Sequence, residues 1–571
     1  MASQPFGNFT FVLHAHLPYV LAHGRWPHGT DWLCECAAES YLPTLDILFR
    51  LVEEGHSPRL TMGITPVLAE QLADDSFKSE FEHYLDQRIA SAAENEAEFA
   101  SQGFSHRVGL AGMWSEFFSG VKQRFREKYN RDLIGAFRHL QDEGHIEVIT
   151  GAATHGYLPL LGLDSSVRAQ VAVGAAAYQR HFGRKPAGFW LPECAYRPGY
   201  SWKAPVESAL GSGEFARRGV EEFLCEREID YFIVDSHLLR GGEAVGVYIS
   251  RFPTLKVLWQ QFADQYHPAP QNEELSDYRT YFVRSREDIR PVTVLTRDPR
   301  TGMQVWSGEW GYPGDGWYLD FHKKHFPGGH RYWRVTSPKC DLADKWEYEP
   351  ARAAERIPEQ ADHFKNLVKD LLGAHRARFS EAGIVCAPYD AELFGHWWFE
   401  GPQWLYHVLK WMDQDPEIRL VTCSQHLAEN PPKGGVALPE GSWGEGGFHW
   451  IWLNEWTTWT WKHVYDAEVE LRNLLAEFPA AQQQLREVLE QAARELLLLE
   501  SSDWQFLIST WTARDYAEAR VSEHYSCFKR LADLARKIGR RQEISAEEWN
   551  YLSAIRQRDG LFAALDLGLF A

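Results

Sequence analysis

The sequence predicts an α/β protein, with a barrel of parallel strands up to about residue 428 and an α-helical domain over residues 429–571. Short, apolar, β-branched runs alternate with helical stretches in the first part, an order typical of a parallel sheet, closed or open. Reactive side chains stand at the C-terminal ends of these runs, where the loops of a parallel barrel converge over its mouth. After ENPPKGG, residues 429–435, the alternation stops and long helical patterns follow.

Eight apolar runs are the predicted strands. The helical stretches between them include VRAQVAVGAAAYQRHFG, which ends at Gly183 as a helix C-cap would. The predicted strands are NFTFVLHAH (8–16), RLTMGIT (59–65), HIEVIT (145–150), AGFWLPE (187–193), YFIVDSH (231–237), VTVLT (292–296), GIVCAPYD (383–390) and RLVTCSQ (419–425).

Two regions break this rhythm. Residues 67–107 are polar with a helical pattern, and they predict a helical insertion on one loop of the barrel. In the C-terminal region, Pro479 divides two of the long helical patterns, because proline interrupts a helix interior.

Charge and composition exclude several classes of protein. A net charge of -20 argues against nucleic acid or an anionic membrane as partner, since both attract clustered Lys and Arg. The N-terminus lacks the basic segment of a signal peptide and no 18-residue apolar run occurs, so we expect a cytoplasmic protein. The 8 cysteines are sparse and lack paired CxxC spacing, which disfavours disulfides and structural zinc.

Tryptophan is abundant, with 24 residues, and many of them stand beside glycine or a charged residue, as in VWSGEWGYPGDGWY and GHWWFEGPQW. Some of these rings must pack in the core, as tryptophan does in most proteins. Rings among glycine and carboxylates nevertheless suit a groove in which the flat faces of sugars stack. The composition therefore favours a carbohydrate cleft.

Two carboxylates at predicted strand ends are the candidate catalytic pair. Glu193 ends the fourth predicted strand and Asp390 ends the seventh, each with a proline nearby and aromatic residues around it. Cleavage of a glycosidic bond needs one carboxylate as nucleophile or base and one protonated carboxyl as acid. A single such carboxylate could equally be a structural ion pair or a helix cap, but two at one barrel face predict catalysis.

The HAH sequence suggests an alternative. His14 and His16 share one face of a strand and could ligate a metal together with Asp235 or His155. Imidazoles also hydrogen-bond sugar hydroxyls without a metal, and no HxxxH or HxxE set supports the metal hypothesis. We therefore expect no metal.

Five segments together resemble the conserved regions of glycoside hydrolase family 57, in the same order, and within it most closely those of its 1,4-alpha-glucan branching enzymes. The resemblance implies an incomplete TIM-like (β/α)7 barrel with a helical insertion, an α-helical C-terminal domain and no cofactor. The segments are HAHLPY (14–19), GAATHGYLPLL (151–161), GFWLPECAY (188–196), PYDAELFGHWWFEGP (388–402) and SWGEGGFHWIWLN (442–454).

The resemblance also implies a retaining reaction on α-1,4-glucan. Glu193 would form a covalent glycosyl-enzyme and Asp390 would act as acid and then base, so that the chain passes to a 6-hydroxyl as an α-1,6 branch. The same pair could serve an α-amylase-like hydrolase or a 4-alpha-glucanotransferase. A catalytically silent glucan-binding protein would lack these carboxylates, and both are present. The further residues matched to substrate contacts are His14, His16, His155, Asp235, Arg297, Trp306, Gly314, Trp443, Trp452 and Asp503.

Branching enzymes of that family cover the cleft with a loop that carries a tyrosine. Such a lid would favour transfer over hydrolysis by excluding water. The corresponding stretch here, residues 238–290, is long and partly regular, and it offers four candidates, namely Tyr248, Tyr266, Tyr278 and Tyr281.

Overall fold

A computed structural model describes residues 4–244, 252–563 and 565–571. Its central element is a sheet of parallel strands with helices on the outside. In chain order the strands are β1 (Gly7–Ala15), β2 (Leu60–Ile64), β3 (Ile146–Gly151), β4 (Gly188–Trp190), β5 (Tyr200–Lys203), β6 (Glu214–Arg217), β7 (Tyr231–Asp235), β8 (Tyr281–Val283), β9 (Val292–Arg297), β10 (Gly383–Asp390) and β11 (Ile418–Leu420).

The helices cover the barrel and form most of the C-terminal region. They are α1 (Thr30–Cys36), α2 (Leu42–Glu53), α3 (Pro66–Ala73), α4 (Asp75–Gln102), α5 (Ser105–Gln123), α6 (Leu133–Asp142), α7 (Asp164–Phe182), α8 (Val220–Glu226), α9 (Ser236–Arg240), α10 (Pro253–Phe262), α11 (Pro299–Trp306), α12 (Pro350–Phe379), α13 (Gly401–Gln414), α14 (Cys423–Glu429), α15 (Thr458–Glu477), α16 (Gln483–Leu499), α17 (Asp503–Thr510), α18 (Arg514–Gly539) and α19 (Ala546–Arg558).

Seven parallel strands close the barrel, which confirms the (β/α)7 prediction. They follow the order β10, β1, β2, β3, β4, β7, β9, and β9 returns to β10 where Arg297 lies opposite Cys386. The eighth predicted strand, residues 419–425, is wrong in its second half. Only β11 is extended there, along the start of β1 outside the ring. The hydroxyl of Thr422 accepts the Gln425 N–H and begins α14 instead.

Two excursions from the barrel are larger than the sequence predicts. The insertion predicted at 67–107 continues through α5. A second excursion separates α11 from α12 and consists mostly of irregular chain. It packs on the insertion, since the Trp114 indole donates to the Arg331 carbonyl at 2.7 Å and the Tyr332 hydroxyl donates to Asn95 at 2.9 Å.

The C-terminal helices begin later than the predicted domain boundary. Residues 430–457 are mostly irregular and run across the barrel mouth, where Tyr196 and Gly441 exchange backbone hydrogen bonds of 2.9 and 3.0 Å. One buried hydrophobic cluster then continues from the barrel into α15–α19. The division at residues 428 and 429 stays a prediction. In the described part of the chain, no helix combines the length and apolarity needed to cross a bilayer.

Candidate active site

Glu193 lies on a sharp turn beyond β4, and not on the strand as predicted. The strand ends at Trp190 because Pro192 begins a short turn that extends to Cys194. Glu193 has φ +60° and Cys194 has φ +47°, both in the left-handed region. Such backbone costs about 1–2 kcal/mol for a residue with a side chain, and it occurs most often at functional sites.

Asp390 is the last residue of β10, and His14 of β1 lies directly beside it in the strand register. Neighbouring strands are about 4.8 Å apart, so these two side chains leave the sheet next to each other. His14 is buried. The end of β10 and the end of β1 therefore contribute to the same part of the barrel mouth.

One cavity of about 160 Å³ opens at this mouth. Both candidate catalytic carboxylates line it, together with six more of the predicted site residues. The eight predicted residues that line it are His14, His16, His155, Glu193, Trp306, Asp390, Trp443 and Asp503.

Three histidines and a carboxylate form one wall of this cavity. His14 and His155 bring their Nε2 atoms to 3.2 Å, and the rings of His16 and His155 stack with centroids 3.9 Å apart. His16 Nε2 lies 2.9 Å from Asp503, at the first turn of α17. His155 Nδ1 lies 2.9 Å from the Ser502 hydroxyl. The C-terminal region therefore fixes two of the three imidazoles.

The surroundings of this wall shift the pKa values of three of its side chains. Burial, and then the neighbouring histidines, hold the pKa of both His14 and His155 below the usual value, which keeps these rings neutral. Burial alone would raise the pKa of Asp503, but the contact with His16 lowers it to about 2. Neutral imidazoles beside a fixed carboxylate offer the mixed donors and acceptors that sugar hydroxyls need.

Burial raises the pKa of the Glu193 carboxyl to about 8. The indole of Trp443 opposes the shift by donating to Glu193 Oε2 at 2.8 Å, while the carboxylates of Asp390 and Asp503 reinforce it. In the protein without substrate, the Glu193 carboxyl therefore retains its proton at neutral pH. Positive charge that develops beside it, as at an oxocarbenium-like carbon, stabilises the ionised form that a nucleophile requires.

Tryptophan rings surround this carboxyl. Trp443 packs edge-on against Trp190, with centroids 5.3 Å apart, and against Trp306 at 6.1 Å. Trp190 in turn stacks on His14 at 4.3 Å. Trp306 and Trp443 line the cavity and present apolar surface to it, while Trp190 is buried behind them.

Four of the predicted site residues do not line the cavity. Asp235 forms a buried ion pair with Arg297, whose guanidinium lies 5.5 Å from the centre of the Trp443 ring. Trp452 is fully buried and stacks on a tyrosine at 4.7 Å. At Gly314 an added Cβ would lie 2.2 Å from the Gly308 carbonyl, so only glycine fits that turn. Of these four residues, Arg297 contacts the cavity lining through Trp443.

The region predicted as a lid is described only in part. Tyr266 accepts the Ala244 N–H, Tyr278 donates to Asp298, and Tyr281 accepts the Ser276 N–H. None of these three described tyrosines lines the cavity. Tyr248 lies outside the described residues.

Comparison with known proteins agrees with this geometry. Residues 10–439 match the family model described as glycosyl hydrolase family 57. The chain belongs to glycosyl hydrolase family 57. Residues 463–570 also match a model described as 1,4-alpha-glucan branching enzyme, C-terminal.

Three relatives illustrate the similarity. A 1,4-alpha-glucan branching enzyme of Thermococcus kodakarensis is 42% identical over 98% of this chain and 78% of its own length. The crystal structure of a family 57 branching enzyme from Pyrococcus horikoshii has 40% identity and a TM-score of 0.87, covering 99% of this chain and 97% of the other. An α-amylase from Thermotoga maritima has 26% identity and a TM-score of 0.79, covering 99% of both chains.

This family 57 cavity also contains residues that the sequence did not single out. Glu392 is buried, and its carboxylate accepts the His16 N–H at 3.0 Å. Burial, together with repulsion from Asp390, raises its pKa to about 8. Its position two residues after Asp390, the candidate acid, could have identified it as a site residue from the sequence. The other lining residues missed are Leu17, Pro18, Trp32, Cys36, Phe252, His396, Trp397, Phe506 and Leu507.

Three side chains of this wall could also hold a metal ion, as the alternative hypothesis requires. Ligand atoms of His16, His155 and Asp503 all lie within 4.8 Å of one another. The same atoms also satisfy their protein neighbours, since His16 bonds to Asp503 and His155 contacts His14. These side chains therefore have hydrogen-bond partners within the protein and need no metal to satisfy them.

Proposed function

We propose that this family 57 chain is a 1,4-alpha-glucan branching enzyme that uses Glu193 as nucleophile and Asp390 as acid and base. The observation that carries the proposal is their common cavity, in which Trp443 of the C-terminal region donates to Glu193 at 2.8 Å. The match of residues 463–570 to a branching-enzyme model and the relatives at 40–42% identity support branching in particular.

The first half of the reaction breaks the α-1,4 bond. Glu193 reacts in its ionised form, after its proton has passed to solvent. A carboxylate oxygen of Glu193 then bonds to the anomeric carbon, and the electron pair of the broken bond leaves with the glycosidic oxygen, which takes its proton from Asp390. In the second half, the 6-hydroxyl of an acceptor chain attacks the same carbon and gives its proton back to Asp390. Two displacements at one carbon retain the α configuration.

The other residues of the cavity would bind and orient the sugar at the point of cleavage. His14, His16 and His155 would hydrogen-bond its hydroxyls, with Asp503 fixing the middle ring of the stack. Trp306 and Trp443 would pack on the apolar face of the sugar and exclude water.

A hydrolase is the second candidate, because water in place of the acceptor gives an α-amylase reaction from the same intermediate. The similar fold of the Thermotoga maritima α-amylase supports this alternative. A 4-alpha-glucanotransferase would differ only in the hydroxyl admitted as acceptor. The pair Glu193 and Asp390 serves all three reactions.

The proposal extends to substrate and location. The substrate would be amylose, amylopectin or a glycogen-like α-glucan, and the product would contribute to glycogen-type biosynthesis. A reducing cytoplasm suits the cysteines, since all 8 are free thiols and six of them are buried.

Incubation with amylose, followed by complete debranching with isoamylase, tests the proposal. We expect isoamylase to release new short chains, because α-1,6 branches have formed, while reducing ends increase little before debranching. A rise in reducing ends without chains released by isoamylase would contradict branching and support the hydrolase. Redistributed linear chains alone would support the glucanotransferase.

A further inference from the structure

A branching reaction needs two glucan chains at once, and the catalytic cavity accounts for only one. A second and wider cleft, of about 750 Å³, lies between residues 23–29 and residues 511–516. We propose that this cleft binds the acceptor α-glucan, with Trp511 as a stacking platform. The inference rests on the proposed function and adds to it the path of the second chain.

The cleft continues the catalytic cavity along the same two chain segments. The segment after β1 lines the cavity with Leu17 and Pro18 and then lines the cleft from His23 onward. Helix α17 lines the cavity with Leu507, and the chain after it lines the cleft. The two sites are therefore built from adjacent parts of the same two segments.

Aromatic rings connect the two sites. Trp32 lines the catalytic cavity, and its ring lies 6.1 Å from that of His28, which lines the cleft. His28 lies 5.8 Å from Tyr516, another cleft residue. These ring contacts form a continuous aromatic path from the catalytic cavity to the cleft.

The cleft presents large apolar faces to solvent. Trp26 is 72% exposed and Trp511 is 53% exposed, whereas most tryptophans of the described chain are buried or half-buried. Trp456 lies 5.5 Å from Trp511, and the guanidinium of Arg514 lies 5.5 Å from the Trp511 ring centre. Exposed indoles with polar groups beside them match the alternation of apolar face and equatorial hydroxyls on a glucose ring.

The backbone at Trp511 indicates that its side chain has a use. This residue ends α17 with φ +59°, a conformation that glycine adopts without cost and that a bulky side chain resists. The Trp511 ring remains 53% exposed, so its burial does not offset the cost of this backbone conformation. A strained position that keeps a solvent-exposed tryptophan is typical of a binding site.

The two walls of the cleft are fixed relative to each other by buried polar contacts. Arg520 donates to the Tyr19 carbonyl at 2.7 Å, and the Tyr19 hydroxyl donates to the Arg558 carbonyl at 2.8 Å. His23 Nε2 lies 2.6 Å from Asp559, and both side chains are almost fully buried. The cleft is therefore pre-formed, which reduces the entropy lost on binding.

A neutral glucan fits this cleft better than a charged partner does. The lining carries two positive side chains, Arg25 and Arg514, and one negative side chain, Asp515, so its net charge is small. Its position beside the catalytic cavity also favours a chain that must reach that cavity. A second copy of this protein is the competing occupant, and the experiment distinguishes it.

The substitution Trp511→Gly tests the inference, because glycine suits φ +59° and the variant should fold. We expect the amylose concentration for half-maximal branching to rise about five- to tenfold with the loss of one stacked ring. Hydrolysis of a short chromogenic maltooligosaccharide, which needs no glucan acceptor, should stay within about twofold. The matched control is Trp346→Ala, which removes another exposed tryptophan that lies outside the cleft.

Binding without turnover gives a second readout. In a gel that contains glycogen, Glu193→Gln should be retarded more than the double variant that also carries Trp511→Gly. Equal retardation, unchanged branching by W511G or an equal loss of hydrolysis would overturn the inference. A difference in oligomeric state between W511G and wild type on size-exclusion chromatography would also overturn it, since the cleft would then be a subunit interface. A wild-type protein that forms no branches would instead overturn the proposed function, and the inference with it.

Discussion

Trp443 contacts Glu193 at two points. Its backbone N–H donates to the Glu193 carbonyl at 3.0 Å, and its indole donates to the Glu193 carboxylate at 2.8 Å. The two residues are 250 positions apart in the chain, so the C-terminal region holds both the turn and the carboxyl of the candidate nucleophile. Correct placement of Glu193 therefore depends on the docking of that region over the barrel.

The substitution Trp443→Phe should lower kcat/KM about 10- to 100-fold, since it removes a hydrogen bond that favours the ionised, reactive form of Glu193 and keeps an aromatic ring. The indole favours ionised Glu193, so its loss should raise the pKa of Glu193 further and move the acidic limb of the kcat/KM profile to higher pH. Trp306→Phe is the control, because the indole of Trp306 has no hydrogen-bond partner among the described residues. An acidic limb that stays in place in W443F would contradict this account.

The substitution Asp503→Asn should move the same limb in the opposite direction. The carboxylate of Asp503 raises the pKa of Glu193, so a neutral amide in its place should lower that pKa and shift the limb to lower pH. His16 also loses its anionic partner, and we expect kcat/KM at the optimum to fall about tenfold. A pH–rate profile of D503N that shifts upward, as in W443F, would show that charge at Asp503 does not reach Glu193.

The free energy of unfolding should depend on the protonation of Glu193. Its pKa is about 8 in the folded protein against an ordinary 4.5, so the folded state binds the proton more tightly. This stabilisation is complete below pH 4.5 and is lost as the pH rises through 8. Thermal unfolding of Glu193→Gln, which has no such loss, should show a gain in Tm over wild type that grows from pH 5 to pH 9. A gain that is constant with pH would contradict the raised pKa.

Chelation should leave the activity unchanged. His16, His155 and Asp503 satisfy one another and their neighbours by hydrogen bonds, so the site needs no metal to hold its shape. The measurement is branching of amylose before and after dialysis against EDTA. Activity that disappears with EDTA and returns with one divalent cation would restore the metal hypothesis.

The strands were predictable because each is a buried apolar run, and their ends depend on single residues. The run at 383–390 coincides with β10. The runs at 187–193 and 231–237 both overshoot. Pro192 ends the first by starting a turn, and Asp235 ends the second because its side chain accepts the Ser236 N–H and caps α9. The apolar pattern of a strand predicts its burial, but it does not reveal the proline or the capping side chain that ends the strand.

The candidate carboxylates were predictable because they follow strands, while much of their surroundings is not periodic. Residues 430–457 carry few helical or strand patterns, yet they place Trp443 against Glu193 and include the fully buried Trp452. The pairing of Asp235 with Arg297 likewise follows from the neighbouring register of β7 and β9. Such contacts arise only when distant segments pack together.

The most direct measurement of the central claim is the site of covalent attachment of the glucan. An α-maltooligosaccharyl fluoride needs no acid to leave, so Asp390→Ala should form the glycosyl-enzyme and then fail to release it for want of a base. We predict that mass spectrometry of the digested protein places the sugar on Glu193, in the peptide that contains GFWLPECAY. Sugar attached to Glu392 instead, or an unmodified Glu193 in a variant that still consumes the fluoride, would contradict the account.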